Sequence, residues 1–262
     1  MDYTLSEWLN LITRWVHVFA GILWVGQTYY FTWLDARLHE EESVWMVHSG
    51  GFYSVEKRPT SQIDPARLHW FRWEAAFTWL SGMVLLVLVY YMGGMMVDSD
   101  VARMSSARAI TIGLGAIFAA WVLYDILWSS PLARSESLGV AISYLLIVAA
   151  AYGLTQFFSA RAAYMHVGAM LGTIMTANVW MRILPAQHAL IAAVQEGRAP
   201  DTTLSARAKQ RSKHNTFLAV PVVFVMISNH FPVATYGSRY NWLVLAVLVL
   251  AGWGAAKLIR RA

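Results

Sequence analysis

Three histidines lie inside long apolar stretches of this sequence, where a side chain able to bind metal is unusual. They are His17, His166 and His230. An imidazole in hydrocarbon is costly unless it is bonded, so each is by default a candidate functional residue. Threading the apolar stretches through a membrane predicts that all three lie at one level near the outer face. We therefore expect a shared ligand, and haem b is the ligand that the residues favour.

The residues around His17 support a haem site. Arg14, His17 and Gly21 fall on one helical stripe, and the glycine would leave room for a flat macrocycle against the backbone. Arg14 and Gly21 are therefore predicted cofactor contacts. Any two of the three histidines could supply the axial pair that a membrane-buried haem needs. The alternatives are hydrogen bonding between helices, and a copper or zinc ion bound without haem.

A second group of polar residues gathers at the predicted inner ends of the helices. Arg72 and Glu74 begin the second apolar stretch, and Asp125 lies near the inner end of the third. An arginine can hold the oxygens of a planar anionic heterocycle through two parallel hydrogen bonds. A carboxylate can remove a proton from such a ring, so these three are the candidate catalytic residues. The predicted substrate contacts are His48, His69, Arg72, Trp73 and Arg182.

Two alternatives stand beside this substrate pocket. His69 and His214 could ligate a second haem near the inner face. The charged residues could also serve only as structural pairs, such as an ion pair between Arg72 and Glu74. Tryptophan and tyrosine at this depth commonly mark the membrane interface, which is the structural reading of the aromatic residues here.

The composition indicates that transmembrane helices position these candidate site residues. Of 262 residues, 58% are hydrophobic and 13% are charged, which excludes an ordinary soluble domain. Cysteine is absent, which excludes iron–sulfur clusters, disulfides and covalently attached c-type haem from this sequence. A crossing needs about 20 mainly apolar residues. We predict an all-α integral membrane protein, a single domain over 1–262 with about seven transmembrane helices, at about 8–33, 70–92, 107–128, 138–158, 162–183, 216–231 and 240–259.

The basic residues predict the orientation of these helices. Fifteen Lys and Arg residues fall on one side of the predicted bundle and four on the other. Basic residues concentrate on the cytoplasmic side of a membrane. We therefore expect a periplasmic N-terminus and a cytoplasmic C-terminus in a bacterial inner membrane. The two long connections, 35–69 and 184–215, are then cytoplasmic.

Five segments of the sequence are rich in Trp, His and Gly and resemble a known family. The segments are RWVHVFAGILWVGQTYYFTWLD (14–35), VWMVHSGGFYSVEK (44–57), LHWFRWEAAFTWLSG (68–82), MHVGAMLGTIMTANVWMRILPAQ (165–187) and SKHNTFLAVPVVFVMISNHFP (212–232). They resemble the membrane domain of the cytochrome-c-linked urate hydroxylases, an integral membrane urate oxidase family. The likeness spans about residues 8–258, and the first helix also loosely resembles haem-b membrane proteins of the protoporphyrinogen oxidase type.

The resemblance implies oxidation of urate to 5-hydroxyisourate, with water as the oxygen source and cytochrome c as the electron acceptor. Members of that family carry a C-terminal cytochrome c domain with a CxxCH motif. This sequence has no cysteine and ends at Arg260-Arg261-Ala262. We therefore expect the electrons to pass to a separate cytochrome c or to quinone.

The sequence is also compatible with a function that is not purine oxidation. The chain could be a haem-carrying electron-transfer or accessory subunit of a larger membrane redox complex, without purine chemistry. Its partners would then be other subunits and membrane lipid. A nucleic acid partner is not expected, because the net charge of +5 is explained by the uneven distribution of basic residues across the membrane.

Overall fold

The computed structural model describes residues 3–261 of the chain. Within them it contains eight α-helices and one β-hairpin. The elements are α1 (Tyr3–Glu40), β1 (Ser43–His48), β2 (Gly51–Glu56), α2 (Trp73–Leu85), α3 (Ser106–Ser129), α4 (Glu136–Thr155), α5 (Ala160–Asn178), α6 (Leu184–Gln195), α7 (Thr202–Ile227) and α8 (Asn241–Ile259).

Six helical stretches in the described part of the chain are long and apolar enough to cross a membrane, which indicates a multi-pass membrane protein. Two of them are composite, because a π-helical turn extends α2 to Tyr91 and another joins α5 to α6. Helices suit this environment because they satisfy their backbone hydrogen bonds within one segment. The stretches are Tyr3–Glu40, Trp73–Tyr91, Ser106–Ser129, Glu136–Thr155, Ala160–Gln195 and Asn241–Ile259.

The predicted crossing at 216–231 differs from the other six. It forms the second half of α7 and a short 3₁₀ turn, and it is not among the stretches that are apolar enough to span. This half of α7 packs against α5 and α8, with Leu218 and Val225 buried. Pro221 lies against Gly252 of α8. The part of α7 in this segment, residues 216–227, is mostly apolar, but it is too short to cross alone, and the polar first half of the helix lowers the mean hydropathy of α7.

The predicted all-α fold has one exception in the connection 35–69. Strands β1 and β2 pair antiparallel, with Trp45 opposite Ser54. The two-residue turn between them uses Ser49 and Gly50, both with positive φ (49° and 79°), which is the geometry that lets two right-twisted strands meet. The side chains of the hairpin are largely exposed, and Trp45 is 73% exposed.

The hairpin marks one end of the helix bundle. Helix α1 continues past the apolar core to Glu40, and Asp35 on its last turns forms ion pairs with Lys57, which follows β2, and with Lys209 of α7. We call this the hairpin end, and the other the opposite end, where α1, α3, α5 and α8 begin. The sequence predicts that the hairpin end is cytoplasmic.

Helix α5 lies at the centre of the bundle. It packs against α2, α3, α4 and α7, and Tyr164 and His166 are wholly buried. Small residues allow this close packing: a Cβ on Gly168 would lie 2.9 Å from the side chain of Val225 on α7. Gly172, one turn further along α5, has nothing within 4 Å of a built Cβ. Both cavities described below are lined in part by α5 or its extension.

Candidate functional site

His17 lies at the interface of α1 and α2. Its Nδ1 is 2.9 Å from the carbonyl oxygen of Thr78 and 3.2 Å from Oγ of Ser81. A carbonyl oxygen only accepts hydrogen bonds, so Nδ1 carries the ring proton and donates it to Thr78. Gly82 allows this approach, since a Cβ there would be 3.0 Å from the ring. The remaining nitrogen, Nε2, has the lone pair that a metal ligand needs.

His166 is in a different situation, because both ring nitrogens are engaged. Nδ1 donates to the carbonyl oxygen of Ala162 at 2.8 Å, and Nε2 accepts from the hydroxyl of Tyr91 at 3.2 Å. The side chain is 0% exposed. A Cβ built on Gly113 of α3 would lie 2.6 Å from Nε2, so α3 also fills the space beside this nitrogen.

The three histidines do not meet as the sequence analysis expected. His17 contacts α2 at Gly82 and His166 contacts it at Tyr91, about 13 Å further along the helix at 1.5 Å per residue. His230 is exposed, in the 3₁₀ turn after α7. No group of three or more His, Asp or Glu side chains within residues 3–261 is arranged to hold a metal ion.

Of His17 and His166, only His17 has surroundings that fit haem ligation. His17 has a free Nε2 and an Nδ1 oriented by a carbonyl, as haem and metal ligands usually have. Nε2 of His166 has no room for an iron atom beside Tyr91 and Gly113. Gly21 faces Thr78 of α2 instead of a space for a macrocycle, and Arg14 is exposed and bonded to Asn10. The arrangement does not fit a haem held between His17 and His166.

Haem ligation therefore stays a prediction from the sequence, with a direct test. If haem is bound through His17, the reduced-minus-oxidised absorption spectrum of the purified protein should show a b-type band. The variant His17→Ala should lose it and His39→Ala, on the exposed end of α1, should keep it. A wild-type spectrum without that band would contradict the prediction.

The predicted inner cluster is divided between two faces of the α5–α6 junction. Arg72 lies at the start of α2, with its guanidinium 5.5 Å from the ring of Trp73 and 6.0 Å from that of Trp180. Arg72 and Glu74 form no ion pair in the described structure, and Arg72 Nε, Glu74 Oε2 and Trp180 Nε1 are all buried without a hydrogen-bond partner. Trp180 lies in the junction, and so does Arg182, which faces the other way.

The histidines predicted near this cluster are dispersed. His48 is exposed at the end of β1, and His69 is exposed with its ring edge against Phe71. His214 is instead packed inside, with its ring centroid 4.1 Å from that of Trp128. His69 and His214 contact different elements, so the described structure does not bring them together as a haem pair.

On the second face of the junction, Asp125 organises two arginines from two other helices. Arg182 reaches both carboxylate oxygens, with Nε 2.8 Å from Oδ1, and Arg211 of α7 donates from Nη2 to Oδ1 at 3.0 Å. This joins α3, the α5–α6 junction and α7 at the hairpin end. Asp125 and Arg182 were predicted site residues and are in contact.

Arg211 is the member of this group that was not predicted as a site residue from the sequence. Its side chain is 5% exposed, and it also donates to Oγ of Ser129 at 3.2 Å while its guanidinium carbon lies 5.0 Å from the ring centre of Tyr124. Its Nη1 is buried and has no hydrogen-bond partner in the described part of the chain. A buried charged donor without a partner is costly, and a bound anion would satisfy it.

A cavity of about 670 Å³ adjoins this group at the hairpin end. It lies between the end of α3, the α5–α6 junction and the first half of α7, and Trp128 forms part of its wall. We call it the arginine cavity, because four arginines line it: Arg134, Arg182, Arg207 and Arg211. Its volume is in the range of small-molecule sites.

The comparisons with known proteins agree with the resemblance stated from the sequence. No curated protein and no solved structure matches the chain. The model of one protein family does match, over residues 3–260, and that family is described as urate oxidase N-terminal. Because the match covers nearly the whole chain, the protein belongs to the urate oxidase N-terminal family.

Proposed function

We propose that this chain is an oxidoreductase that converts urate, or a closely related purine, to its 5-hydroxy product, and that the arginine cavity binds the purine. Family membership supports the substrate class. The observation that supports the position is Arg211 itself: it lines a cavity together with three further arginines, and its buried Nη1 is a charged donor without a hydrogen-bond partner in the described part of the chain.

The residues of the cavity match the chemistry of urate. Urate is a flat anion with carbonyl oxygens on both rings, and guanidinium groups bind such oxygens with two parallel hydrogen bonds. Arg207 and Arg211 are one helical turn apart on α7 and line the same cavity, so they can act on one ligand. The indole of Trp128 in the wall offers a surface on which the purine can stack.

We assign Asp125 a positioning role in this reaction. Both of its carboxylate oxygens are already used by Arg182 and Arg211, which keeps the carboxylate from acting as a free base. Its function is to fix the direction of the two guanidinium groups. The oxidation itself balances as urate and water giving 5-hydroxyisourate, two protons and two electrons.

The electrons leave to an acceptor outside this chain, a cytochrome c or a quinone. In the orientation predicted from the basic residues, the hairpin end lies in the cytoplasm of a bacterium and the chain spans the inner membrane. The arginine cavity then receives purine from the cytoplasm.

Arg72, Glu74 and Trp180 form the second candidate position for the purine. Three buried polar atoms without partners at the start of α2 support this alternative, since a polar ligand would satisfy them. The cavity lined by four arginines lies on the other face of the junction, which is why the arginine cavity is preferred.

Replacing Arg211 by methionine tests the choice between these two positions. We expect Arg211→Met to lower kcat/KM for urate by about 100-fold, because two charge-assisted hydrogen bonds are lost. Urate consumption by the purified protein with a soluble dye as electron acceptor is the measurement. Arg198→Met is the matched control, since Arg198 pairs only with the exposed Glu196, and it should keep full activity.

The same assay defines the contrary outcomes. A loss of activity in Arg72→Met, with Arg211→Met active and folded by circular dichroism, would move the purine to the start of α2. A wild-type protein without urate turnover, reduced only by a partner protein, would favour an electron-transfer or accessory subunit instead.

A further inference from the structure

A second cavity opens on the side of the bundle. It has a volume of about 600 Å³ and lies between α3, α4, α5, α7 and α8. Its walls are mainly apolar, and the exposed side chains of Leu123, Val140 and Leu146 are among them, so it is open towards the lipid that surrounds the helices. On α3 it extends from Ala116 to Trp128, about 18 Å of helix. We call it the lateral cleft.

A chain of hydrogen bonds ends in this cleft, and its direction can be worked out. Asn215 donates from Nδ2 to the carbonyl oxygen of Met175 at 2.9 Å, which fixes its Oδ1 as the atom facing Asn178. Asn178 therefore donates from Nδ2 to Asn215 Oδ1 at 3.0 Å, and from the same nitrogen to the hydroxyl oxygen of Tyr124 at 2.9 Å. Tyr124 then donates its own proton to Nδ1 of His214, 2.7 Å away.

The end of the chain is an N–H group in an apolar place. Because Nδ1 of His214 accepts from Tyr124, the ring is neutral and its single proton is on Nε2. His214 lines the lateral cleft, so the cleft contains a neutral hydrogen-bond donor near its hairpin end. An apolar cavity with one oriented donor is suited to a largely apolar molecule that carries an acceptor.

The lateral cleft and the arginine cavity are neighbours. Trp128 lines both of them. Tyr124 lines the cleft, and the guanidinium of Arg211 lies over its ring on the side of the arginine cavity. Trp128 therefore forms part of the wall between the two cavities.

We propose that the lateral cleft binds a membrane quinone, with a quinone carbonyl accepting a hydrogen bond from Nε2 of His214 and the tail lying along α3. The role of this quinone as electron acceptor rests on the proposed purine oxidation. Urate, water and quinone then give 5-hydroxyisourate and quinol, so the two electrons and two protons released from the purine reduce the quinone and no further acceptor is needed.

A quinone matches the cleft better than a phospholipid does. The charge of Lys213 at the mouth is already balanced by Glu136 at 2.5 Å. The donor inside is a neutral N–H, which matches a carbonyl oxygen, whereas a phosphate is bound by cations and several donors. Lys257 also lines the mouth, and it is the residue through which a lipid headgroup could compete.

Quinone binding to the full chain tests this proposal without any purine. The protein is placed in phosphatidylcholine nanodiscs and titrated with tritiated decylubiquinone, a benzoquinone with a decyl tail. We expect saturable binding that unlabelled decylubiquinone displaces and that decylbenzene, with the same tail but no carbonyls, does not. Equal displacement by decylbenzene would overturn the proposal, since the cleft would then accept tails only.

Two variants locate the bound quinone. Ala150→Phe fills the cleft from α4 and should weaken binding at least tenfold. Ala141→Phe is its control, on an exposed position of the same helix outside the cleft, and should bind as the wild type does. His214→Phe keeps an aromatic ring beside Trp128 but loses the donor, and should weaken binding about tenfold. If Ala150→Phe and Ala141→Phe bind quinone equally well, the proposal is overturned, even if His214→Phe does not fold.

The electron acceptor separates a failure of the quinone site from a failure of the proposed function. Ala150→Phe should keep urate oxidation with a soluble dye and lose it with decylubiquinone. Dye-linked turnover in the wild type without saturable quinone binding would overturn the quinone site. Saturable, carbonyl-dependent binding without urate turnover would support the site and refute the purine chemistry.

Discussion

Asp125→Ala is expected to lower the free energy of unfolding by about 3 kcal/mol and to abolish urate turnover. The substitution leaves Arg211, whose side chain is 5% exposed, without the carboxylate that balances its charge. Removing one partner of a buried ion pair costs about 3–5 kcal/mol, and the low end applies because Arg182 is 46% exposed and is partly solvated. The midpoint of thermal unfolding in detergent, followed by circular dichroism, is the measurement.

Glu196→Ala is the matched control for Asp125→Ala. It also removes the carboxylate partner of an arginine, but that pair is exposed on both sides and should contribute under about 1 kcal/mol. The double variant Asp125→Ala with Arg211→Met should regain part of the lost stability, because no buried charge is then left unpaired. If Asp125→Ala unfolds at the same temperature as Glu196→Ala, the unpaired charge of Arg211 does not destabilise the fold and the prediction is wrong.

Gly113→Ala is expected to destabilise the contact between α3 and α5 by about 1–3 kcal/mol. The new methyl group would lie 2.6 Å from Nε2 of His166, and the ring cannot move away because Ala162 and Tyr91 hold its two nitrogens. Gly115→Ala, on the same helix with nothing within 4 Å of its Cβ, should be neutral or slightly stabilising, since alanine favours helix.

A double-mutant cycle identifies the cause of this loss. His166→Ala removes the ring that the methyl group meets, so Gly113→Ala should cost much less in the His166→Ala background than in the wild type. Equal costs in both backgrounds would show that the two residues do not oppose each other, and that α3 and α5 approach differently from the packing described above.

The six long helical stretches could be predicted from the sequence because each is apolar over a length that can cross a membrane. The segment 216–231 shares α7 with a polar first half, so the helix as a whole does not reach that hydropathy. The hairpin was missed for a related reason. Strands of six residues with mostly exposed side chains, such as β2 from Gly51 to Glu56, lack the buried face that gives a strand its alternating pattern.

The candidate site could be predicted only in part, because depth along a helix does not say which way a side chain points. Trp180 and Arg182 have nearly equal depth but are two residues apart, so they face different neighbours. In the sequence, Arg211 was used only as one of the basic residues that predict the orientation of the helices in the membrane. The spacing of Arg207, Arg211 and Asn215 at every fourth position was the available signal, since it puts two cations and an amide on one side of α7.

Trp128 belongs to the walls of both cavities, and α4 holds its ring in place. Its indole N–H donates to Oγ of Ser143 at 3.0 Å, and its ring fills the space above Gly139, where a Cβ would come within 2.8 Å. A ligand that shifts this ring must therefore also disturb the contact between α3 and α4. If such a shift changes the affinity of the other cavity, thermodynamic linkage makes the influence mutual and of equal magnitude.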